Sequence, residues 1–102
     1  MGRVADKIAL VTGGASGLGQ ASARMLAREG ARVAVTDINI AGAKATAAGI
    51  GDAAIAIEHD VTNEDAWIAA IKQTVDTFGG LHILVNCAGI GLRKSVEDIS
   101  LE

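Results

Sequence analysis

Short apolar runs alternate along this chain with longer stretches of mixed polarity. Residues 8–11, 33–36, 54–58 and 83–85 are dominated by Ile, Val, Leu and Ala. Such runs mark strands buried on both faces, not strands with one wet side. Between them, Leu18, Ser22, Met25, Leu26 and Glu29 recur turn after turn, as in a helix closed by Gly30. A weak alanine-rich helix is expected from about residue 40 to 48, broken by Gly49 and Gly51. Thr62 stands where a helix N-cap would, with Asp65 three residues later in the place of a capping-box acid. The helix behind it carries Trp67, Ile71, Val75 and Phe78 as an apolar core stripe, and Gly79 and Gly80 stop it. Strands and helices in strict alternation, joined by right-handed crossovers, predict an α/β fold with a parallel sheet. The order 3-2-1-4 is expected if it is the first half of a doubly wound sheet of the commoner kind.

Composition narrows this picture. Half of the 102 residues are hydrophobic, yet Trp67 and Phe78 are the only aromatics. The core must therefore be aliphatic, as in a parallel sheet overlaid by helices. At this length residues 1–102 form one domain, smaller than a complete doubly wound enzyme. A net charge of −3 gives no basic footprint for nucleic acid or an anionic membrane. No apolar run reaches transmembrane length, and residues 1–6 are too polar for a signal peptide. The single cysteine, Cys87, excludes an internal disulfide and suits a reducing, cytoplasmic setting.

The chemistry concentrates after the first strand. Thr12, Gly13, Gly14, Ala15, Ser16, Gly17, Leu18 and Gly19 form a glycine-rich loop that opens directly into a helix. Glycines there permit positive φ and close approach, and the helix N-terminus offers free N–H groups to an anion such as a pyrophosphate. Asp37 ends the second strand, eighteen positions beyond Gly19. An acid at that place can accept hydrogen bonds from both hydroxyls of an adenosine ribose. Neither Ser16 nor Ile38 brings the positive charge that a 2′-phosphate would need. These features point to NAD in preference to NADP, and to the first half of a Rossmann-like, doubly wound fold.

The loop reads T-G-x-x-x-G-x-G, which resembles the cofactor loop of the short-chain dehydrogenase/reductase family. Two more segments deepen the resemblance. Asp60 and Val61 follow the third strand, and the likeness implies that this pair lies against the adenine, with the acid near its exocyclic amine. Asn86, Cys87, Ala88 and Gly89 are similar to the family's Asn-Asn-Ala-Gly motif. There the first Asn steadies the sheet and the Ala-Gly backbone passes under the adenine ribose; Cys87 departs from the commoner second Asn. The resemblance covers nearly the whole chain and implies NAD(H) binding by Gly13, Ser16, Gly17, Leu18, Gly19, Asp37 and Ile38 in the first part. Asp60, Val61, Asn86, Ala88 and Gly89 complete the implied site.

The family's hydride transfer uses a Tyr aided by a neighbouring Lys and a Ser, all downstream of the region represented here. This chain has no Tyr; Ser95 and Ser100 lie too early, and Lys94 has no Tyr four residues before it. No catalytic residue is assigned, and the chain alone is expected to be inactive, as the cofactor-binding part of an oxidoreductase interconverting a secondary alcohol and a ketone. Residues 95–98 read as a short capped turn and residues 100–102 as the opening of another helix, so the chain reads as a truncated protein. Its fourth strand would then expose a sticky edge and favour self-association. His59 and His82 lack ligand-spaced partners, and no metal site is assigned. Cys87 is expected to be a small buried hydrophobe, and Arg24, Arg28 and Arg32 to line a solvated face. Two other classes compete: a regulatory module that senses NAD, and a Rossmann-like methyltransferase, against which the glycine spacing and residues 86–89 argue.

Overall fold

A computed structural model describes residues 4–87. The strands are β1 (Ile8–Thr12), β2 (Arg32–Asp37), β3 (Ala54–Glu58) and β4 (Ile83–Asn86). The helices are α1 (Gly17–Arg28), α2 (Ile40–Ile50) and α3 (Glu64–Phe78). All strand pairs are parallel, and the sheet runs β3-β2-β1-β4, the order expected of the first half of a doubly wound sheet. The readings that fall on Ala88, Gly89, Lys94, Ser95, Ser100 and residues 95–102 lie outside the described residues.

Alternation of side chains divides the core in two. Val11, Val33 and Val35 pack with Ala23, Ala43 and Ala47 beneath α1 and α2. Leu10, Ala34 and Ile57 meet Trp67 and Ala70 of α3 on the other face. Leu10, Val11, Val33 and Val35 are all fully buried. Each such side chain contributes about 1.5–3 kcal/mol relative to exposure, so the two central strands carry most of the apolar stabilisation. At the lower end of the sheet, His82 clips β4 to β1. Its ring Nδ1 accepts from the Ile8 N–H at 3.0 Å, while the His82 backbone N–H donates to the Ile8 carbonyl at 2.8 Å.

Three of the local readings need correction. Asn63, not Thr62, caps α3, its side chain accepting from the Ala66 N–H. Thr62 instead turns back to Asp60, whose carboxylate competes successfully for both its N–H and its hydroxyl. Trp67 and Ile71 of the expected α3 stripe do pack on the core, but Ala70 and Thr74 are the other buried positions and Val75 is 39% exposed. Thr74 can be buried because its hydroxyl donates to the Ala70 carbonyl at 2.7 Å. Helix α2 runs through Gly49 to Ile50 before Gly51 ends it, since tertiary contacts outweigh one glycine's poor helix propensity. In α1 the buried positions are Gly19 and Ala23, while Leu18 and Met25 are exposed. Only small residues let this helix lie close to the sheet.

Candidate functional site

Parallel pairing brings Thr12, Thr36 and Asn86 into register, with Asp37 opposite Glu58, so the carboxyl ends of all four strands share one edge. Loops leaving that edge form the crevice in which doubly wound sheets hold ligands. Here they enclose a cavity of about 340 Å³. Gly13, Ser16, Asp37, Ile38, Asp60 and Val61 line it, together with His59, Thr62 and Cys87.

The glycine loop is braced from within. Gly13 takes φ +68°, a left-handed conformation that suits a residue without Cβ. Ser16 caps α1: its hydroxyl donates to the Gly13 carbonyl at 2.7 Å and accepts from the Gly19 N–H at 3.1 Å. The Thr46 hydroxyl donates to the Gly14 carbonyl at 2.8 Å, tying the loop to α2. Asp37 braces it from the far side. One carboxylate oxygen accepts from the Ala15 N–H at 2.9 Å and the other from the Asn39 N–H at 2.9 Å. Each oxygen retains a lone pair for a ligand hydroxyl.

Asp60 is organised in the same manner. Its Oδ1 accepts the Thr62 hydroxyl at 2.6 Å and the Thr62 N–H at 2.9 Å. The Thr62 hydroxyl, then its backbone N–H, hold the Asp60 carboxyl below the usual carboxylate range. Beneath it His59 is 1% exposed and meets Thr36 Oγ1 through Nδ1 at 2.9 Å. Its Nε2 is buried without a partner among the described residues. Burial pushes the His59 imidazole below its ordinary pKa, and the nearby Asp60 charge opposes this only partly.

The direction of that shift sets a pH dependence. Above pH ~6.5 both folded and unfolded chains hold His59 neutral; below it the unfolded chain takes the proton first, so stability falls with acid. The Asp60 contribution, from a depressed pKa, persists to lower pH and is lost as pH drops through that depressed value. The melting temperature is expected to fall from pH 7 to pH 5, and less steeply in a His59→Gln variant. Equal slopes in the two proteins would assign the proton to another group.

Of the residues singled out from sequence, six line the cavity. Gly17 and Leu18 begin α1 beside it, Gly19 supports the loop from within the fold, and Ala88 and Gly89 lie outside the described residues. Asn86 works within the sheet: its Oδ1 accepts from the Thr12 hydroxyl at 2.9 Å, which in turn accepts from the Cys87 N–H at 3.1 Å. Cys87 is half-buried at the cavity wall, with Sγ 3.8 Å from Ser22 Oγ, and is not the buried core residue expected. Sequence reasoning assigned no role to Thr46, weighed His59 only as a metal ligand and placed Trp67 only in the core stripe of α3. The available signal was a polar residue on the inner face of an alanine-rich helix, and a histidine directly preceding Asp60.

Comparisons with known proteins agree with this geometry. Residues 7–102 match the family model described as short chain dehydrogenase. The chain is 46% identical over 100 residues to 3-alpha-(or 20-beta)-hydroxysteroid dehydrogenase of Mycobacterium tuberculosis, covering 98% of this chain and 38% of that protein. It is 48% identical over 100 residues to sorbitol dehydrogenase of Cereibacter sphaeroides, covering 98% of this chain and 39% of the relative. The chain thus spans well under half the length of these relatives. Among solved structures it resembles 3-ketoacyl-(acyl-carrier-protein) reductase from Brucella melitensis, complexed with NADH, with TM-score 0.78 and 40% identity. That match covers 79% of this chain and 33% of the reductase. The fold, the carboxyl-edge crevice and these matches lead to one conclusion: the chain belongs to the short-chain dehydrogenase family.

Proposed function

We propose that this chain is the NAD-binding portion of an oxidoreductase that moves hydride between NAD(H) and a secondary alcohol or ketone. The observation that carries the reading is Asp37, a carboxylate on the cavity wall whose two oxygens are fixed by backbone amides of the loop and of the turn after β2. The residues present fit a dinucleotide. The start of α1 offers N–H groups to phosphate, and no side chain at Gly13 or Gly17 obstructs that approach. Asp37 accepts the ribose hydroxyls, while Asp60 and Val61 receive the adenine. When bound, the nicotinamide supplies the hydride chemistry; this chain's residues hold and orient it. No catalytic residue is assigned within the chain. The named relatives act on steroids and sorbitol, so a hydroxyl-bearing carbon is the reacting class we favour.

Asp37 also sets the expected cofactor preference. A 2′-phosphate at ~4 Å from its charge would be opposed by roughly 4 kcal/mol at a surface-like dielectric. In calorimetric titrations of the intact protein, NADH should bind at least tenfold more tightly than NADPH. Equal affinities would refute the NAD assignment, and binding of neither would refute the dinucleotide reading. A module that only senses NAD would bind NADH equally well but show no turnover with any secondary alcohol.

A further inference from the structure

Trp67 is the largest fully buried side chain, yet it does not line the cavity. Its indole N–H can only donate, and a buried indole must find an acceptor. It finds the carbonyl of Val61, at 2.8 Å, on the turn that lines the cavity. The indole also stands edge-on to the His59 ring, with centroids 4.4 Å apart and planes at 88°. His59 continues the linkage in two directions. Nδ1 meets the Thr36 hydroxyl at 2.9 Å, and its backbone N–H donates to the Asp37 carbonyl at 3.0 Å. One buried chain of contacts therefore runs from α3 through the turn at residues 59–62 to the end of β2. It joins the two carboxylates that face the cavity, Asp37 at the end of β2 and Asp60 in the turn after β3.

We infer that Trp67 is a positioning residue for the purine half of the cavity, acting through the Val61 carbonyl and the His59 ring to hold Asp60 at one distance from the base. This rests on the dinucleotide reading given above. The chemical consequence is discrimination at the exocyclic position of the purine. Adenine presents an amine there, a donor that a carboxylate oxygen accepts. Hypoxanthine presents a carbonyl, an acceptor that the same oxygen repels. Asp60 Oδ1 is occupied by Thr62, so Oδ2 is the oxygen left to read that difference. Its reading is only as sharp as the turn is fixed.

The test compares NADH with its hypoxanthine analogue in the intact protein, in Trp67→Phe and in Thr36→Val. Phe keeps an aromatic ring but removes the donor to Val61; Val keeps the shape of Thr36 but removes the partner of His59. Loss of one hydrogen bond should weaken NADH binding about fivefold. The adenine-over-hypoxanthine affinity ratio should fall in both variants. A purely structural role would lower the melting temperature and leave that ratio unchanged, and that result overturns the inference. If Trp67→Phe does not fold, the ratio in Thr36→Val decides alone. A parent protein that binds neither dinucleotide overturns the functional reading itself, a failure distinct from an unchanged ratio.

Discussion

Gly19→Ala is expected to abolish dinucleotide binding and to lower the melting temperature by more than 10 °C, roughly, for a domain of this size. A Cβ at this position would overlap the Gly13 carbonyl oxygen, with the Gly13 carbonyl carbon at 2.6 Å and Gly14 Cα at 2.9 Å. All three are backbone atoms of the loop, so no side chain can rotate aside. Overpacking of this kind costs about 3 kcal/mol, and each kcal/mol is worth about 4–8 °C. Relief would require the loop to swing away, which would break the Ser16 contacts to Gly13 and Gly19. Gly17→Ala is the control. Nothing lies within 4 Å of a Cβ there, so the variant should melt with the parent while obstructing a phosphate at the helix start. A Gly19→Ala protein that melts within two or so degrees of the parent would sink the packing argument.

The second large effect belongs to Asp37. Asp37→Ala should weaken NADH binding by about 100-fold, because hydrogen bonds to a charged group contribute roughly 1.5–3 kcal/mol and tenfold is about 1.4 kcal/mol. The preference for NADH over NADPH should collapse with it. The substitution should not create a good NADPH site, however. Ala15 and Asn39 would each lose the acceptor of their N–H group, and the loop would loosen. Asp37→Asn separates the two roles, since one amide oxygen still accepts a backbone N–H. It should recover thermal stability more fully than NADH affinity. Titration and melting of the three proteins check this; undiminished NADH affinity in Asp37→Ala would remove that residue from the site.

Much of this was legible in the chain because parallel strands leave an unmistakable trace. Residues 8–11 and 33–35 are apolar at every position since both sheet faces are covered, and the parallel sheet was legible from them. The helices were harder. Leu18 and Met25 look like core residues by type, but α1 approaches the sheet through Gly19 and Ala23, where close backbone contact favours the smallest side chains. The N-cap of α3 moved by one residue because Asp60 captured Thr62 and left Asn63 to cap. Such contests between equally capable side chains turn on distances that spacing does not encode.

The glycine loop and Asp37 could be named from sequence since each sits at a strand end, and strand ends follow from local hydrophobic pattern, whereas the Asp60–Val61 pair was implied by the family resemblance. How they are held depends on residues distant in the chain. Thr46 on Gly14, Asp37 on Ala15, and Trp67 on Val61 are contacts between separate elements. Their partners are ordinary backbone amides and carbonyls, which every residue carries, so no residue type announces them. The sequence by itself determined the class of fold and six of the nine described residues that line the crevice. Tertiary structure alone decided which backbone groups those side chains engage, because hydrogen bonding requires atoms brought within about 3 Å by packing.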